Sequence, residues 1–337
     1  MSHVAQKIFI TRKITASGVK LMEDAGFSVT EWTEKRDLTQ EELIGHCKNY
    51  DALVSAGPNK LDKHFLNECR HLKVIALHAV GFDNVDVAEA TRLGILVGNT
   101  PGVLSKTTAD TAFLLMLNVS RKAFYHHQRI LNGEWGFFDP TVNLGIELDG
   151  KTLGIFGLGN IGTEMAKRCS RAFGMKVIYH NRSRNEEAEK ELGAEYVSFD
   201  ELLDRSDILS VHSSLNKENG AIFNRDVFAK MKSTAIFINT ARGAMHDEEA
   251  LIEALRNGII WGAGLDVSNP EPMLPHNPLL TMENVAVTPH IGTSTEETRV
   301  EMVRLIAENI IAGLKGQSLP YPVNPEVYKA DTSEKQH

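Results

Sequence analysis

Lys151-Thr152-Leu153-Gly154-Ile155-Phe156-Gly157-Leu158-Gly159-Asn160-Ile161-Gly162 is the stretch on which the reading of this chain turns. An apolar, β-type run closes on a G-x-G-x-x-G turn, and an amphipathic helical pattern follows to about Phe173. The glycine spacing alone is a weak signal; a strand before it and a helix after it are the context that gives it meaning. In that context Gly157 permits a tight turn and Gly159 lets the backbone approach a pyrophosphate, while Gly162 lets the helix pack closely on the strand. The helix start at Asn160 and Ile161 then turns unpaired N–H groups and a partial positive charge toward the anion. The plainer alternative is a glycine-rich turn that holds nothing.

The next strand, Lys176–His180, bears on which dinucleotide is bound. A chain that takes NAD usually ends this strand with an Asp or Glu on the ribose hydroxyls. Here the strand runs into Asn181-Arg182-Ser183-Arg184, and the first acid is Glu186. Two guanidiniums and a hydroxyl suit a 2′-phosphate that a carboxylate would repel. NADPH is therefore the expected cofactor, with NAD possible; the competing reading makes Arg182 and Arg184 solvated loop charges.

Further β-type runs follow at Ile208–His212, Thr234–Asn239, Gly262–Val267 and Val285–Thr288. Three of them end in chemistry-bearing residues: Asn239-Thr240-Ala241-Arg242-Gly243, Gly264-Leu265-Asp266-Val267 with Glu271-Pro272 after a short turn, and Thr288-Pro289-His290-Ile291-Gly292. Parallel α/β sheets place ligands at the carboxyl ends of their strands. A 2-keto acid offers a carboxylate to anchor and a carbonyl oxygen that becomes an alkoxide as hydride arrives. Arg242 can clamp the carboxylate and polarise the carbonyl. A protonated His290 can give the oxyanion its proton. Glu271, bonded to the other ring nitrogen, would hold the imidazole and favour its charged form. Asp266 is expected on the nicotinamide side. Taken singly, Arg242 reads as a strand-end ion pair, Glu271 as a loop charge and His290 as a surface imidazole; three together downstream of a dinucleotide motif read as a site.

Upstream, short β-type runs at Lys7–Thr11, Ser28–Trp32, Ala52–Ser55, Val74–His78 and Leu96–Asn99 alternate with helical patterns such as Ser17–Ala25 and Thr39–Lys48. Strands alternating with helices throughout predict parallel sheets covered by helices, the first expectation of a doubly wound α/β chain. Asn99-Thr100-Pro101-Gly102 is a strong breaker, after which Ser105 is placed to cap a long helix to about Arg121. A last helix is expected over about Thr295–Leu314, and the polar tail Asp331–His337 is expected to fray.

With 337 residues, 42% hydrophobic and 24% charged, the chain has room for two domains with their own cores. Its net charge of −8 argues against a nucleic-acid surface. Cys47, Cys69 and Cys169 are odd in number and lack metal-type spacing, so free buried thiols in a reducing cytoplasm are expected and no metal site. Met1–Gln6 is polar and carries no apolar leader. The longest clearly apolar helical run, Ala112–Leu117, is far short of the roughly 20 residues of a membrane span.

These stretches in this order, with Val80-Gly81-Phe82-Asp83-Asn84-Val85-Asp86 and Asn99-Thr100-Pro101-Gly102-Val103-Leu104, resemble the D-2-hydroxyacid dehydrogenase family to about Asn324. The resemblance implies Arg242, Glu271 and His290 as the catalytic three, and the Val80-Gly81 backbone on the substrate carboxylate. It also implies a cofactor site lined by Thr108, Ser214, Thr240, Asp266, His290 and Gly292 besides the glycine turn. The implied architecture is a Rossmann-type dinucleotide domain at 105–295 and a flavodoxin-like α/β substrate domain from 1–104 with 296–325, with a closing cleft between them and a tail at 326–337. Family members pair as homodimers through the dinucleotide domain, which would here use the helix after Ser105 and the loop around Trp135–Asp139.

Gly133-Glu134-Trp135, Asn181-Arg182-Ser183-Arg184 and Ser268-Asn269-Pro270-Glu271-Pro272 leading to Asn277-Pro278-Leu279 resemble glyoxylate/hydroxypyruvate reductases and glycerate dehydrogenases within that family. Ser268-Asn269 departs from the Phe-Glu of many members, which leaves the catalytic set untouched and is expected to bear on the turn carrying Glu271. Reduction of glyoxylate or hydroxypyruvate to glycolate or D-glycerate is thus the expected reaction. Other members, such as phosphoglycerate or D-lactate dehydrogenases, are alternatives; the absence of a C-terminal regulatory extension and of an extra basic cluster weighs against the former. A dinucleotide-sensing corepressor-like binding protein is the rival from another class. A formate-oxidising relative would need a different substrate loop.

Overall fold

The computed structural model describes residues 5–137, 139–216 and 218–328. The expected fraying at Asp331–His337, the polar residues 1–4 and Phe138 of the proposed pairing loop lie outside the described residues. The chain divides into two compact units, 1–104 with 295–337 and 105–294.

The first unit is built on five parallel strands, β1 (Lys7–Ile10), β2 (Ser28–Glu31), β3 (Ala52–Ser55), β4 (Val74–Leu77) and β5 (Leu96–Gly98), in the order β2-β1-β3-β4-β5. This is the flavodoxin-like arrangement, reversing direction of growth between β1 and β3. Alternation along each strand feeds two cores. Ile8, Ile10, Val54, Val74 and Ala76 meet Val303, Ile306 and Ile310 of the helix Glu296–Leu314. On the other face, Phe9, Leu53, Ile75 and Leu77 meet Phe65, Leu66 and Ile95. Both faces being covered, the central strands are apolar throughout rather than alternating with polar residues.

The second unit has seven parallel strands: β6 (Thr152–Phe156), β7 (Lys176–His180), β8 (Glu195–Tyr196), β9 (Ile208–Val211), β10 (Ile236–Asn239), β11 (Gly262–Leu265) and β12 (Val285–Val287), in the order β12-β11-β10-β9-β6-β7-β8. The order reverses between β6 and β9, the switch point of a doubly wound sheet. Ile155, Ile208, Ile236 and Ile238 pack under the helices Ser105–Arg121 and Asn160–Phe173, and Leu209, Val211, Phe237 and Leu265 under Phe223, Phe228 and Leu251. Each such buried side chain contributes roughly 1.5–3 kcal/mol over its exposed state.

Register carries the sheet into the site. Across neighbouring strands His180 pairs with Phe156, Phe156 with Val211, Val211 with Asn239, Asn239 with Leu265, and Leu265 with Val287. The strands therefore end in one row, and whatever follows them emerges along one edge. Two expectations change in detail. Ser105 is the first helical residue and not the one before it, and β8, only two exposed residues long, had no sequence signature. Cys47, Cys69 and Cys169 are unpaired and buried.

Candidate active site

The glycine turn leaves β6 at the switch point, and its three glycines meet different surroundings. Gly157 has φ +100°, and a Cβ there would stand 2.5 Å from the Ser213 amide nitrogen. A Cβ on Gly162 would stand 2.5 Å from the Gly157 carbonyl oxygen and 3.0 Å from Ile155. At Gly159, the N-cap of the helix Asn160–Phe173, nothing lies within 4 Å of that position. The fold needs the first and third glycines; the second leaves an open cradle at a helix N-terminus, the place a pyrophosphate takes.

The loop after β7 does more than present charges. The Leu158 N–H donates to Asn181 Oδ1 at 2.6 Å, and Asn185 Nδ2 donates to the Leu158 carbonyl at 2.9 Å, so this loop braces the glycine turn. Arg184 is bound through Nε and Nη2 to both carboxylate oxygens of Glu189, at 3.0 and 2.6 Å, and lies over the Tyr196 ring. The Tyr179 hydroxyl donates to Glu189 at 2.5 Å. Arg184 first and Tyr179 second hold the Glu189 carboxyl below its usual range. The expectation of two equivalent free guanidiniums is thereby modified: Arg182 and Ser183 are exposed, and Arg182 has no ion-pair partner among the described residues, whereas Arg184 is already engaged.

Along the same edge, Arg242 follows β10 half-buried, its Nη1 donating to the Ala241 carbonyl at 2.8 Å. His290 follows β12 with φ 55°, a left-handed backbone that is costly for a residue with a side chain and persists only where the surroundings impose it. Its N–H donates to the Thr288 carbonyl at 3.0 Å. The ring Nδ1 donates to Glu271 Oε1 at 2.5 Å, with both side chains nearly half exposed. That hydrogen bond raises the His290 pKa against the opposing effect of burial. Burial pushes the Glu271 carboxyl upward, but the bond to His290 and its charge prevail, and the net shift is downward. The Arg242 guanidinium acts electrostatically on both partners, lowering each. Arg, Glu and His, separated by 19 to 48 positions, are one electrostatic group.

Asp266 is buried and holds three donors from the protein. Oδ1 accepts from the Thr288 hydroxyl at 2.7 Å and the Ile291 N–H at 2.8 Å, and Oδ2 from the Gly292 N–H at 2.8 Å. Burial raises its pKa against those three donors. Asp266 thus shapes the loop that carries His290, a role its sequence position did not reveal. Thr108 Oγ1 donates to the Gly292 carbonyl at 3.1 Å. Ser214 is exposed beyond β9, its carbonyl held by Asn219. The Thr240 hydroxyl is buried without a partner among the described residues. An orphaned hydroxyl and an open glycine cradle on one sheet edge fit a dinucleotide that would supply the missing partners. Val80 and Gly81 lie in the first unit just beyond β4, where the Val80 carbonyl accepts from Asn99 Nδ2 at 2.8 Å. Among the described residues no group of three or more His, Cys, Asp or Glu side chains is disposed to hold a metal ion, and no helix is long and apolar enough to cross a membrane.

Fold and site together define a doubly wound α/β chain with a dinucleotide-type glycine turn, a Glu271–His290 hydrogen bond and the Arg242 guanidinium acting electrostatically on both partners. Residues 113–292 match the family of D-isomer specific 2-hydroxyacid dehydrogenases over its NAD-binding domain. A glyoxylate reductase of Thermococcus litoralis is 45% identical over 325 residues, covering 95% of this chain and 97% of the relative. Among solved structures, a glyoxylate reductase from Paecilomyes thermophila superposes with a TM-score of 0.84 at 36% identity, covering 96% of this chain and 99% of that one. An NADPH-dependent glyoxylate/hydroxypyruvate reductase from Sinorhizobium meliloti, solved with NADP and malonate, gives 0.82 at 32% identity over 94% and 96%. The chain belongs to the D-2-hydroxyacid dehydrogenase family.

Proposed function

We propose that this chain reduces small 2-keto acids, glyoxylate and hydroxypyruvate, to glycolate and D-glycerate, with NADPH as the preferred electron source. The observation that carries the reading is the Glu271–His290 hydrogen bond with the Arg242 guanidinium acting on both partners, on the sheet edge that also holds the open Gly159 cradle. The names of the relatives support the same substrate class.

A bound nicotinamide supplies the hydride. Arg242 anchors the substrate carboxylate and draws charge toward the carbonyl oxygen. His290, kept protonated by Glu271, gives its Nε2 proton to that oxygen as it becomes an alkoxide. Glu271 holds the ring so that Nε2 is the free donor. For the dinucleotide, Gly157, Gly159, Asn160, Ile161 and Gly162 take the pyrophosphate, and Arg182 and Ser183, with the outer edge of Arg184, take the 2′-phosphate. Thr108, Ser214, Thr240, Asp266 and Gly292 frame the remainder. The missing carboxylate after β7 and the unpaired Arg182 support NADPH over NADH.

The unit that holds the glycine turn also exposes Leu131, Trp135, Phe137 and Leu144, each at least 64% accessible, in one stretch of chain. We propose that this apolar stretch, with the helix Ser105–Arg121, pairs two copies of the chain. Three unpaired buried thiols support a reducing, cytoplasmic setting.

Mixing the protein with NADPH and glyoxylate and following absorbance at 340 nm tests the activity, with rapid loss expected. A flat trace with every 2-keto acid, despite tight NADPH binding, would overturn it in favour of a dinucleotide sensor. His290→Ala should lower kcat by about 10²–10⁴-fold while NADPH affinity is kept. Arg242→Ala should raise KM for the keto acid, and an unchanged KM removes Arg242 as the anchor.

A further inference from the structure

Asn239 closes β10 and is fully buried. Its carboxamide is used from both ends. Nδ2 donates to the Arg242 carbonyl at 2.9 Å and to His246 Nδ1 at 3.0 Å, and Oδ1 accepts from the Ala241 N–H at 3.0 Å. Its main-chain carbonyl accepts from the Asp266 N–H at 3.0 Å. The turn that presents Arg242 is therefore closed around one amide, and the same residue is tied to the strand end that presents Asp266. Moving the Arg242 backbone breaks a buried hydrogen bond, and a buried donor left without a partner is costly.

The backbone decides which way that amide points, for the Arg242 carbonyl can only accept and the Ala241 N–H can only donate, and His246 takes the remaining Nδ2 proton. The ring is 1% exposed. Burial, against the opposing charge of Asp247, takes its pKa to about 4, so the ring is neutral at neutral pH. With the amide nitrogen so placed, Nδ1 of the neutral ring must be the acceptor. An amide flipped by 180° would set Oδ1 against both the His246 lone pair and the Arg242 carbonyl. Neither residue faces the sheet edge as a binding group, yet two polar side chains occupy a place that apolar ones would fill without desolvation.

We propose that Asn239 and His246 are positioning residues for Arg242, a carboxamide and an imidazole that together fix the turn from which the guanidinium reaches the keto-acid carboxylate. This rests on Arg242 being that anchor. The test is a set of purified variants, His246→Leu, His246→Asn, His246→Gln and Asn239→Ser beside Arg242→Ala, assayed for glyoxylate KM and kcat at saturating NADPH, for NADPH Kd by fluorescence, and for Tm. His246→Leu and Asn239→Ser are expected to raise glyoxylate KM by about 10-fold or more with NADPH Kd within about two-fold of the parent, since loss of alignment costs the anchored substrate most. His246→Asn returns an acceptor at the Nδ1 position and should restore KM, whereas His246→Gln, whose oxygen reaches the Nε2 position instead, should not. A folded His246→Leu with parental KM overturns the proposal, as does a His246→Asn no better than His246→Gln; the latter pair decides the matter if the leucine variant does not fold. If Arg242→Ala itself leaves KM unchanged, the anchor reading falls and takes the proposal with it. If Arg242→Ala raises KM and the His246 and Asn239 variants do not, the positioning role alone is lost.

Discussion

A methyl group added at Gly162 would press on the Gly157 carbonyl, whereas one added at Gly159 meets nothing within 4 Å. The two glycines of one motif therefore answer to different demands, and substitution separates them. Gly162→Ala is expected to destabilise the fold by about 1–3 kcal/mol through overpacking, read as a lower denaturation midpoint. Gly159→Ala is expected to keep the parental Tm and lose NADPH affinity, because its methyl would occupy the pyrophosphate cradle; parental affinity in a folded variant would show that nothing approaches that backbone. A second residue-scale prediction concerns pH. Glu271 raises the His290 pKa above its ordinary value, so the imidazolium persists to higher pH. Keto-acid reduction needs that proton, so kcat/KM should be full below the raised pKa and fall as pH rises through it. In Glu271→Gln the falling limb should move to lower pH; a limb that stays in place would assign the titration to another group. The residue types of this pair were legible in sequence because few side chains serve acid–base and anion chemistry. Their contact was expected on chemical grounds, since an imidazolium donor needs a carboxylate to hold its other nitrogen, and the structure has it at 2.5 Å although Glu271 and His290 lie 19 positions apart on separate loops.

At the scale of elements, the loop after β7 carries the sharpest difference between charge content and charge placement. Reading Arg182 and Arg184 as equals followed from sequence spacing; the structure gives Arg184 a bidentate partner in Glu189 and leaves Arg182 exposed. Glu189 sits one turn into the following helix, Glu186–Leu192, and reaches back because that helix begins directly after the loop. Arg182→Ala is accordingly expected to raise the NADPH Kd while sparing NADH, and Arg184→Ala to do so less, with some cost in Tm from the lost ion pair. Equal loss toward both dinucleotides in titrations of Arg182→Ala would show that it does not read the phosphate. The longer elements were legible to within a residue or two, because apolar strands buried on both faces and helices with a clear apolar stripe write their periods into the chain. The helix Asn160–Phe173 even announces its end in Gly174, which takes φ 57° as its C-cap. The strand β8 was not legible, for two exposed residues hold no period.

For the whole molecule, each unit is one parallel sheet with two covered faces, and among the described residues of the second unit the most exposed large apolar side chains, Leu131, Trp135, Phe137 and Leu144, fall in one stretch of chain. Pairing of two copies through it predicts a dimer in sedimentation velocity at micromolar concentration. Trp135→Ser combined with Phe137→Ser should shift the species toward monomer; an unchanged dimer would place the interface elsewhere. All strands in both sheets are parallel, as the alternation of short apolar runs and helical patterns predicted, while their order across each sheet was not written in that alternation.

Periodicity, turn residues and the glycine spacing were enough to establish two parallel α/β units, a dinucleotide turn and the set of strand ends where chemistry gathers, because each of these is written within a dozen neighbouring residues. The bonds to Asp266 from its three donors, 22 to 26 positions away, arose only once strand register had brought distant positions to hydrogen-bonding distance. The capture of Arg184 by Glu189 and the grip of Asn239 on Ala241, Arg242 and His246 span seven positions or fewer and were decided by the shape of their turns. All of these depend on differences of an ångström in how loops and turns are set, and local composition does not encode them.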